Sequence, residues 1–333
     1  MRLRLVGTTL AVLAIAAQGA WGFGTVRGLG QNAEHERITR HALACNQPGG
    51  PGPSVCFQPS TLNEIAGANK TFGAVGSPDN PLRGMMSLEM AHCDSGDFMN
   101  IQGYPHSRQA AIDALNACRT WMNDHLNQAV SDAGKIVKNH KINDSEIPTS
   151  RPCVFNGSKG GLLGRAKCDA LEEFGISLHA SQDFYSHSNW VDRPDSTQPV
   201  SITNPPGLGN SGRAPWLNLR VQTSFPDGLM TGCYHSTSSN PLKDMDGVSG
   251  CPGRVTHFVL NKDKGQIDAP FGPANTSRGK INDNFHRAVV AAIDDTRDKW
   301  AILQERIIAK YGQQDGNLIV CGLAQDDPAK TCR

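Results

Sequence analysis

Several signatures of common enzyme classes are missing from this 333-residue chain. It has no internal repeat, no glycine-rich phosphate loop and no Gly-x-Ser-x-Gly nucleophile elbow. It also lacks a charge excess, since 32 Lys and Arg stand against 31 Asp and Glu. A near-neutral chain has no bulk electrostatic attraction for nucleic acid or for an anionic membrane. We therefore expect no stable binding to nucleic acid.

The chain also lacks an apolar run of the roughly 20 residues that a membrane span needs. The longest apolar run covers residues 5–17; it follows a short basic start and precedes the small residues Gly19 and Ala20. This pattern predicts a secretory signal peptide over residues 1–22 and an exported, extracellular, monomeric protein. Cleavage after Ala20 leaves Trp21 first, and cleavage after Gly22 leaves Phe23 first. The choice matters because a free α-amino group can bind zinc.

Cysteine is plentiful, but no Cys-x2-Cys pair occurs among the ten cysteines. In an exported chain this pattern favours disulfides over zinc ligation. Pairing of neighbours in sequence predicts five bridges: Cys45–Cys56, Cys93–Cys118, Cys153–Cys168, Cys233–Cys251 and Cys321–Cys332.

The apolar residues of the rest of the chain recur mainly at helical spacing. Apolar residues recur at helical spacing over residues 32–44, 107–138 and 281–311, with Gly312 ending the last helix. Little of the chain reads as strand, and 35 Gly and 20 Pro indicate long ordered loops. We predict a mainly α fold, with residues 23–333 forming a single domain and its loops pinned by disulfides.

The most informative stretch is residues 160–190, where His179, Asp183 and His187 follow one another at four-residue steps. On a helix these three side chains share one face. The surrounding residues are apolar, so the helix should be largely buried, and buried histidines and carboxylates need partners. The row could hold one zinc ion or bridge two through Asp183. The alternative is a polar network in which the histidines bond to Asp183 or to backbone carbonyls.

Four stretches together resemble a known family: residues 33–39, 92–97, 178–190 and 255–264. They are similar to secreted bacterial zinc-dependent phospholipases C, which are related to the fungal Het-C heterokaryon-incompatibility proteins. The wider superfamily is the α-helical fold of zinc phospholipases C and single-strand nucleases. The row His179, Asp183 and His187 is the specific part of the resemblance, and the other stretches support it.

The resemblance implies two or three clustered zinc ions that hydrolyse a phosphodiester. His35 corresponds to an early histidine that joins the N-terminal residue at one zinc. Asp94 or Asp97 corresponds to an aspartate that is both ligand and general base. His125, with His106 as rival, corresponds to a histidine between that aspartate and the central helix. His92 could be a ligand or could pair with Asp94.

The last zinc ligands depart from the family pattern. The superfamily places a carboxylate four residues after its last histidine, and no histidine after His187 has Asp or Glu at that offset. We expect His257 to take this place, with Asp263 or Asp268 as its carboxylate, and His286 is the alternative to His257.

Three functions follow from these residues. The first is a secreted zinc phosphodiesterase of phospholipase C type, acting on phospholipid or at a membrane surface. Its lipid-binding rim would come from Trp190, Trp216 and Phe225 in and beside the irregular segment 192–253. The second is a single-strand nuclease of the same fold. The third is a non-catalytic, Het-C-like recognition or toxin-like protein that keeps its metal for stability.

Overall fold

The computed structural model describes residues 23–25, 27, 28, 31–46, 55–68, 71–147, 152–155, 165–237, 247–268 and 272–332. The signal peptide predicted for residues 1–22 lies outside the described residues.

Helices form most of the described structure, which confirms the predicted mainly α fold. The helices are α1 (Glu34–Leu43), α2 (Pro59–Ala66), α3 (Glu89–His92), α4 (Arg108–Ala133), α5 (Ala166–His187), α6 (His257–Leu260), α7 (Ser277–Lys280), α8 (Asn284–Ala324) and α9 (Pro328–Thr331). Two short antiparallel ribbons accompany them, β1 (Arg27–Gly28) with β2 (Gln31–Asn32) and β3 (Val137–Lys138) with β4 (Lys141–Ile142).

Helix α5 is the centre of the molecule. Every residue in it except Asp169 is buried, because α4 and α8 pack along it. Its apolar residues join the main core, where the Phe174 ring lies 5.8 Å from the ring of Trp300 on α8. Its polar residues are paired with the same neighbours: the Ser177 hydroxyl donates to the carbonyl of Met122 on α4 at 2.9 Å. A helix enclosed in this way holds its side chains in fixed positions.

Gly175 allows one wall of the core to approach α5 closely. A Cβ at this position would lie 2.4 Å from the carbonyl carbon of Ala74. The next residue along, Val75, accepts a hydrogen bond from His179 on α5. Glycine at position 175 therefore lets the segment around Val75 lie close to the face of α5 that carries His179.

Gly312 divides the last long helix. It has φ 79°, a conformation that glycine adopts without steric cost. As predicted, the regular helix that begins at Asn284 is interrupted at Gly312. The helical conformation then resumes and continues to Ala324, so Gly312 is a kink and not the end of the helix.

All five predicted disulfides are present. Cys93–Cys118 joins the end of α3 to α4, next to His92 and Asp94. Cys233–Cys251 closes part of the irregular region that follows α5. Disulfide-bonded cysteines fit an oxidising, extracellular environment. None of the helices in the described ranges is both long and apolar enough to span a membrane.

Replacing Gly175 with alanine should destabilise the protein. Glycine to alanine inside a helix ordinarily stabilises by up to about 1 kcal/mol, but here the added Cβ meets backbone atoms of Ala74, which cannot move independently. We expect a net loss of about 1–3 kcal/mol in the free energy of unfolding, measured by urea denaturation. Gly322→Ala is the matched control, because its Cβ would meet a side-chain methyl of Ile136. Equal effects of the two substitutions would contradict this account.

Candidate metal centre

The row on α5 is arranged as its spacing predicts. His179, Asp183 and His187 are fully buried. The Asp183 Oδ2 atom lies 3.0 Å from Nε2 of His179. Histidines and aspartates from other elements surround the row and form with it three groups with metal-ligand spacing, of which the first two share His179.

The first group joins His35 of α1 to His179 and Asp183. His35 Nε2 lies 3.1 Å from Asp183 Oδ1, and the His35 and His179 rings stack with their centroids 4.2 Å apart. The other nitrogen of each ring is held from behind, His35 Nδ1 by Gln182 Oε1 at 2.7 Å and His179 Nδ1 by the Val75 carbonyl at 2.9 Å. Both Nε2 atoms therefore face Asp183, and the anchoring of the opposite ring nitrogen is a common feature of metal-binding histidines.

The backbone nitrogen of Phe23 also belongs to this group. It donates to Asp183 Oδ1 at 3.1 Å, and the Phe23 side chain is fully buried. Phe23 is the residue that cleavage after Gly22 would leave first. Its nitrogen lies beside the same carboxylate oxygen as His35 Nε2.

The second group contains Asp79, His92 and His179. His92 Nδ1 lies 2.9 Å from Asp183 Oδ2 and 3.0 Å from His179 Nε2. Asp79 Oδ1 lies 3.7 Å from His179 Nε2, and the Thr25 hydroxyl holds its other oxygen. Asp183 thus directs Oδ1 to His35 and Oδ2 to His179 and His92, so its two oxygens face different histidines.

The third group contains Asp94, His187 and His257. Asp94 Oδ1 lies 3.1 Å from His187 Nδ1 and 2.9 Å from His257 Nδ1. Asp263 approaches the same two rings from their other side, 3.2 Å from His187 Nε2 and 3.9 Å from His257 Nε2. The Ser186 hydroxyl donates to Asp263 Oδ1. The two imidazoles therefore lie between two buried carboxylates.

These carboxylates are held in the ionised form. Burial by itself raises the pKa of Asp183, but His179 and His35 outweigh burial and hold that pKa well below its usual range. Burial also raises the pKa of Asp94, but His257 and His187 outweigh burial, so the pKa of Asp94 is lowered. The pKa of Asp263 falls to about 2 against the effect of burial, because the imidazoles of His187 and His257 lie beside its carboxylate.

Most of the imidazoles respond in the opposite direction. Burial lowers the pKa of His187, but the charges of Asp94 and Asp183 outweigh burial and raise that pKa well above its usual value. The pKa values of His35, His92 and His257 are also raised, against burial, by neighbouring carboxylates. His179 is the exception, because burial prevails there and its pKa is lowered.

Unsatisfied polar atoms show that the groups suit a metal better than a closed hydrogen-bond network. Buried polar atoms in folded proteins normally have partners. Six buried atoms in and beside these groups make no hydrogen bond among the described residues, although His35 Nε2 and His187 Nε2 lie 3.1 and 3.2 Å from a carboxylate oxygen: Nε2 of His35, His92, His187 and His257, Oδ1 of Asp79 and Oδ2 of Asp263. Imidazole nitrogens and carboxylate oxygens are ordinary ligands of zinc and of other divalent ions. A bound cation would satisfy several of these atoms together.

Of the residues named from the sequence, His35, Asp94, His179, Asp183, His187 and His257 come together in these groups. Asp263 lies beside the third group, whereas Asp268 is half exposed and pairs with Arg37 on the surface. His286 lies at the start of α8 against Asp283.

His125 and Asp97 are placed elsewhere. His125 Nδ1 lies 2.5 Å from Glu173 Oε2, and its ring contacts Trp121 on α4. Asp97 is paired with Arg254, and His106 Nδ1 lies 2.7 Å from the Asp97 carbonyl. The geometry does not bring His125, His106 or Asp97 into the three groups. Their ligand roles therefore find no support in the arrangement of the described residues.

Asp79 is the functional candidate that sequence reasoning missed, and His92 was named there only as an alternative. Asp79 lies in a single 3-10 turn, Ser77–Asp79. No periodic spacing links it to another ligand, and its own turn predicts only a change of chain direction.

Comparisons with known proteins identify no relative. A scan against protein-family models, a search of curated proteins and a search of solved structures each find no match to this chain.

The metal-free protein should lose stability as pH rises. A histidine whose folded-state pKa exceeds its unfolded value of about 6.5 stabilises the fold below that pH and ceases to do so as pH rises through the folded-state pKa. Four of the five buried histidines belong to this class. The aspartates whose pKa is lowered stabilise the fold above about pH 4, and this stabilisation is lost only in stronger acid.

We therefore expect the melting temperature with chelator to fall between pH 6 and pH 8. With zinc it should rise over the same interval, because metal binds the neutral imidazole and competes with protons. Differential scanning calorimetry at stepped pH gives both curves. A melting temperature that rises with pH in chelator would contradict the assignment of these histidines.

Proposed function

We propose that this protein is a secreted zinc-dependent phosphodiesterase of phospholipase C type. The observation that carries the proposal is the set of three buried ligand groups along α5. The first two groups share His179, and Asp183 lies within 3.1 Å of His35 in the first group and 2.9 Å of His92 in the second. The third group surrounds His187, one turn further along the helix. Clustered divalent ions about 4 Å apart are the usual means of hydrolysing a phosphodiester. The motif resemblance to the zinc phospholipases C supports the same reading.

The donor set suits zinc. It consists of imidazoles and carboxylates, with no thiolate, because the cysteines are joined in disulfides. The first group would hold one ion and the third group would hold another. Asp79 and His92 would contribute to a further ion, because His179 has its Nδ1 bonded to the Val75 carbonyl and can serve only one ion through Nε2. When bound, zinc polarises phosphoryl oxygens and lowers the pKa of a coordinated water.

The protein's own groups have distinct roles in this proposal. Asp94 is the proton acceptor, because its lowered pKa keeps it ionised and Asp97 is committed to Arg254. Gln182 and the Val75 carbonyl fix the rings of His35 and His179. Phe23, after cleavage behind Gly22, supplies an α-amino group beside Asp183.

The lipid contacts predicted from the sequence need revision. Trp190 and Trp216 are buried, and the ring of Phe225 packs against Trp216 at 5.6 Å. Two apolar residues adjacent in sequence to the metal centre are exposed instead: Phe258 follows His257 and is 58% exposed, and Met90 on α3 is 40% exposed. These two side chains are better candidates for contact with lipid chains.

Substitution of a ligand should remove metal and activity together. His92→Ala and Asp183→Asn leave charged or polar partners unpaired in a buried site, so we expect zinc content to fall and phosphatidylcholine hydrolysis to drop at least about 100-fold. His125→Ala is the matched control, since His125 is a part-buried helical histidine outside the three groups. Zinc content is measured by mass spectrometry on the purified processed protein. Equal losses in the control and the ligand variants would refute the assignment.

Assays with two substrates, phospholipid vesicles and single-stranded DNA, separate the proposed activity from its alternatives. We expect the zinc-loaded protein to release phosphocholine-type head groups from vesicles and to leave single-stranded DNA intact, because the chain has no cationic excess to hold a polyanion. Cleavage of DNA without lipid hydrolysis would identify the nuclease. Bound zinc without turnover of either substrate would identify a non-catalytic, Het-C-like protein.

A further inference from the structure

Asp97 is buried and fully engaged away from the metal groups. Its Oδ1 atom lies 2.5 Å from Nη2 of Arg254, and its Oδ2 atom lies 3.0 Å from Nε of the same guanidinium. The Tyr104 hydroxyl donates to Oδ2 at 2.6 Å. A two-pronged arginine–carboxylate pair is geometrically specific as well as strong. Asp97 itself is fully buried, so both charges depend on this pairing.

The pair joins the two chain segments that bring ligands to the third group. Asp97 follows Asp94 by three residues, and Arg254 precedes His257 by three residues. Tyr104 strengthens the junction, because its oxygen also accepts a hydrogen bond from the Val255 amide at 2.8 Å. The positions of Asp94 and His257 relative to each other are thus linked through Asp97, Tyr104 and Arg254.

The segment 231–233 completes the connection. The Cys233 amide donates to the Val255 carbonyl and the His257 amide donates to the Cys233 carbonyl, both at 2.8 Å. The Ser95 amide donates to the Gly232 carbonyl at 2.7 Å. These backbone bonds align the segments along their length, whereas the Asp97–Arg254 pair crosses between them through side chains.

We propose that Asp97, Tyr104 and Arg254 form a clamp of positioning residues that sets the separation of Asp94 and His257 and thereby the affinity of the third group for its metal. His187, the other ligand of that group, is fixed by α5 and does not need the clamp. This inference rests on the proposed metal centre. It gives Asp97 a role distinct from the ligand or base that its motif suggests.

Metal affinity is sensitive to such positioning. Ligand distances must agree to within about 0.2 Å for zinc, and loss of a group that orients a ligand typically weakens metal binding about 10- to 100-fold. The clamp should therefore affect the third group and leave the two groups around Asp183 unchanged. A clamp that merely stabilises the fold would lower the melting temperature without this selectivity.

The test uses the full processed chain with Asp97→Asn, Arg254→Lys and Tyr104→Phe. Zinc stoichiometry and stepwise affinities are measured by competition with a chromophoric chelator, and melting temperature is recorded in parallel. We expect one zinc to bind about 10- to 100-fold more weakly in Asp97→Asn and Arg254→Lys, and the tighter zinc ions to be unchanged. Lysine keeps the charge of Arg254 but cannot form two parallel hydrogen bonds. Tyr104→Phe removes the tyrosine hydrogen bonds but leaves the Asp97–Arg254 ion pair in place. This variant provides the test if Asp97→Asn does not fold.

Arg287→Lys is the matched control. The Arg287 guanidinium bonds to the carbonyls of Val191, Gly209 and Asn210, in a loop that carries none of the ligands. We expect this variant to change the melting temperature only. A second control places Asp97→Asn in a His257→Ala background, where no further loss of zinc should occur because the third group is already broken.

The outcomes distinguish the clamp from the proposed function. Full zinc affinity in all three folded clamp variants would overturn the clamp and leave the phosphodiesterase intact. Equal weakening of every zinc ion would also overturn it, since the effect would then be structural. Selective weakening of one zinc in a protein that hydrolyses no phosphodiester would support the clamp and reject the proposed activity. A wild-type protein that binds no metal would overturn both.

Discussion

The ionised carboxylate of Asp183 inside a fully buried helix is the constraint on which the rest of the structure depends. Removing a carboxylate from water is costly unless it is paired. Here the compensation comes from His35, His92 and His179 and from the Phe23 amide, all within about 3 Å of one of its two oxygens. Three separate chain segments therefore have to converge on α5. A protein that needed only a stable core would place an apolar residue at this position.

These segments converge because other elements enclose α5, and regular secondary structure accounts for only part of their placement. Helices α4 and α8 cover α5, while the candidate ligands outside it come from α1, a 3-10 turn, the end of α3 and the segment around α6. Short irregular segments cannot hold such positions alone. Cys93–Cys118, Cys233–Cys251 and the buried pair Asp97–Arg254 fix them. This division explains why a chain rich in loops can still present a precise site.

The sequence predicts those parts of the site that periodicity or local pairing governs. The row on α5 follows from four-residue spacing, and the disulfides follow from cysteine order. His35, Asp94 and His257 required the motif resemblance, because no local pattern connects them to α5. Neither local spacing nor the motif resemblance indicates Asp79, since this turn residue joins a candidate ligand group only through its contact with His179, 100 residues away along the chain. His125 and Asp97 are residue types that can bind metal, but in the folded chain His125 pairs with Glu173 and Asp97 pairs with Arg254.

The central claim is that the buried histidines and aspartates converge on cations. Anomalous X-ray diffraction from crystals of the processed protein, recorded on both sides of the zinc absorption edge, tests it most directly. The account predicts peaks between Asp183 and the imidazoles of the first two groups, and another beside Asp94, His187 and His257. Maps without anomalous peaks, in which these side chains hydrogen-bond directly to one another, would contradict it.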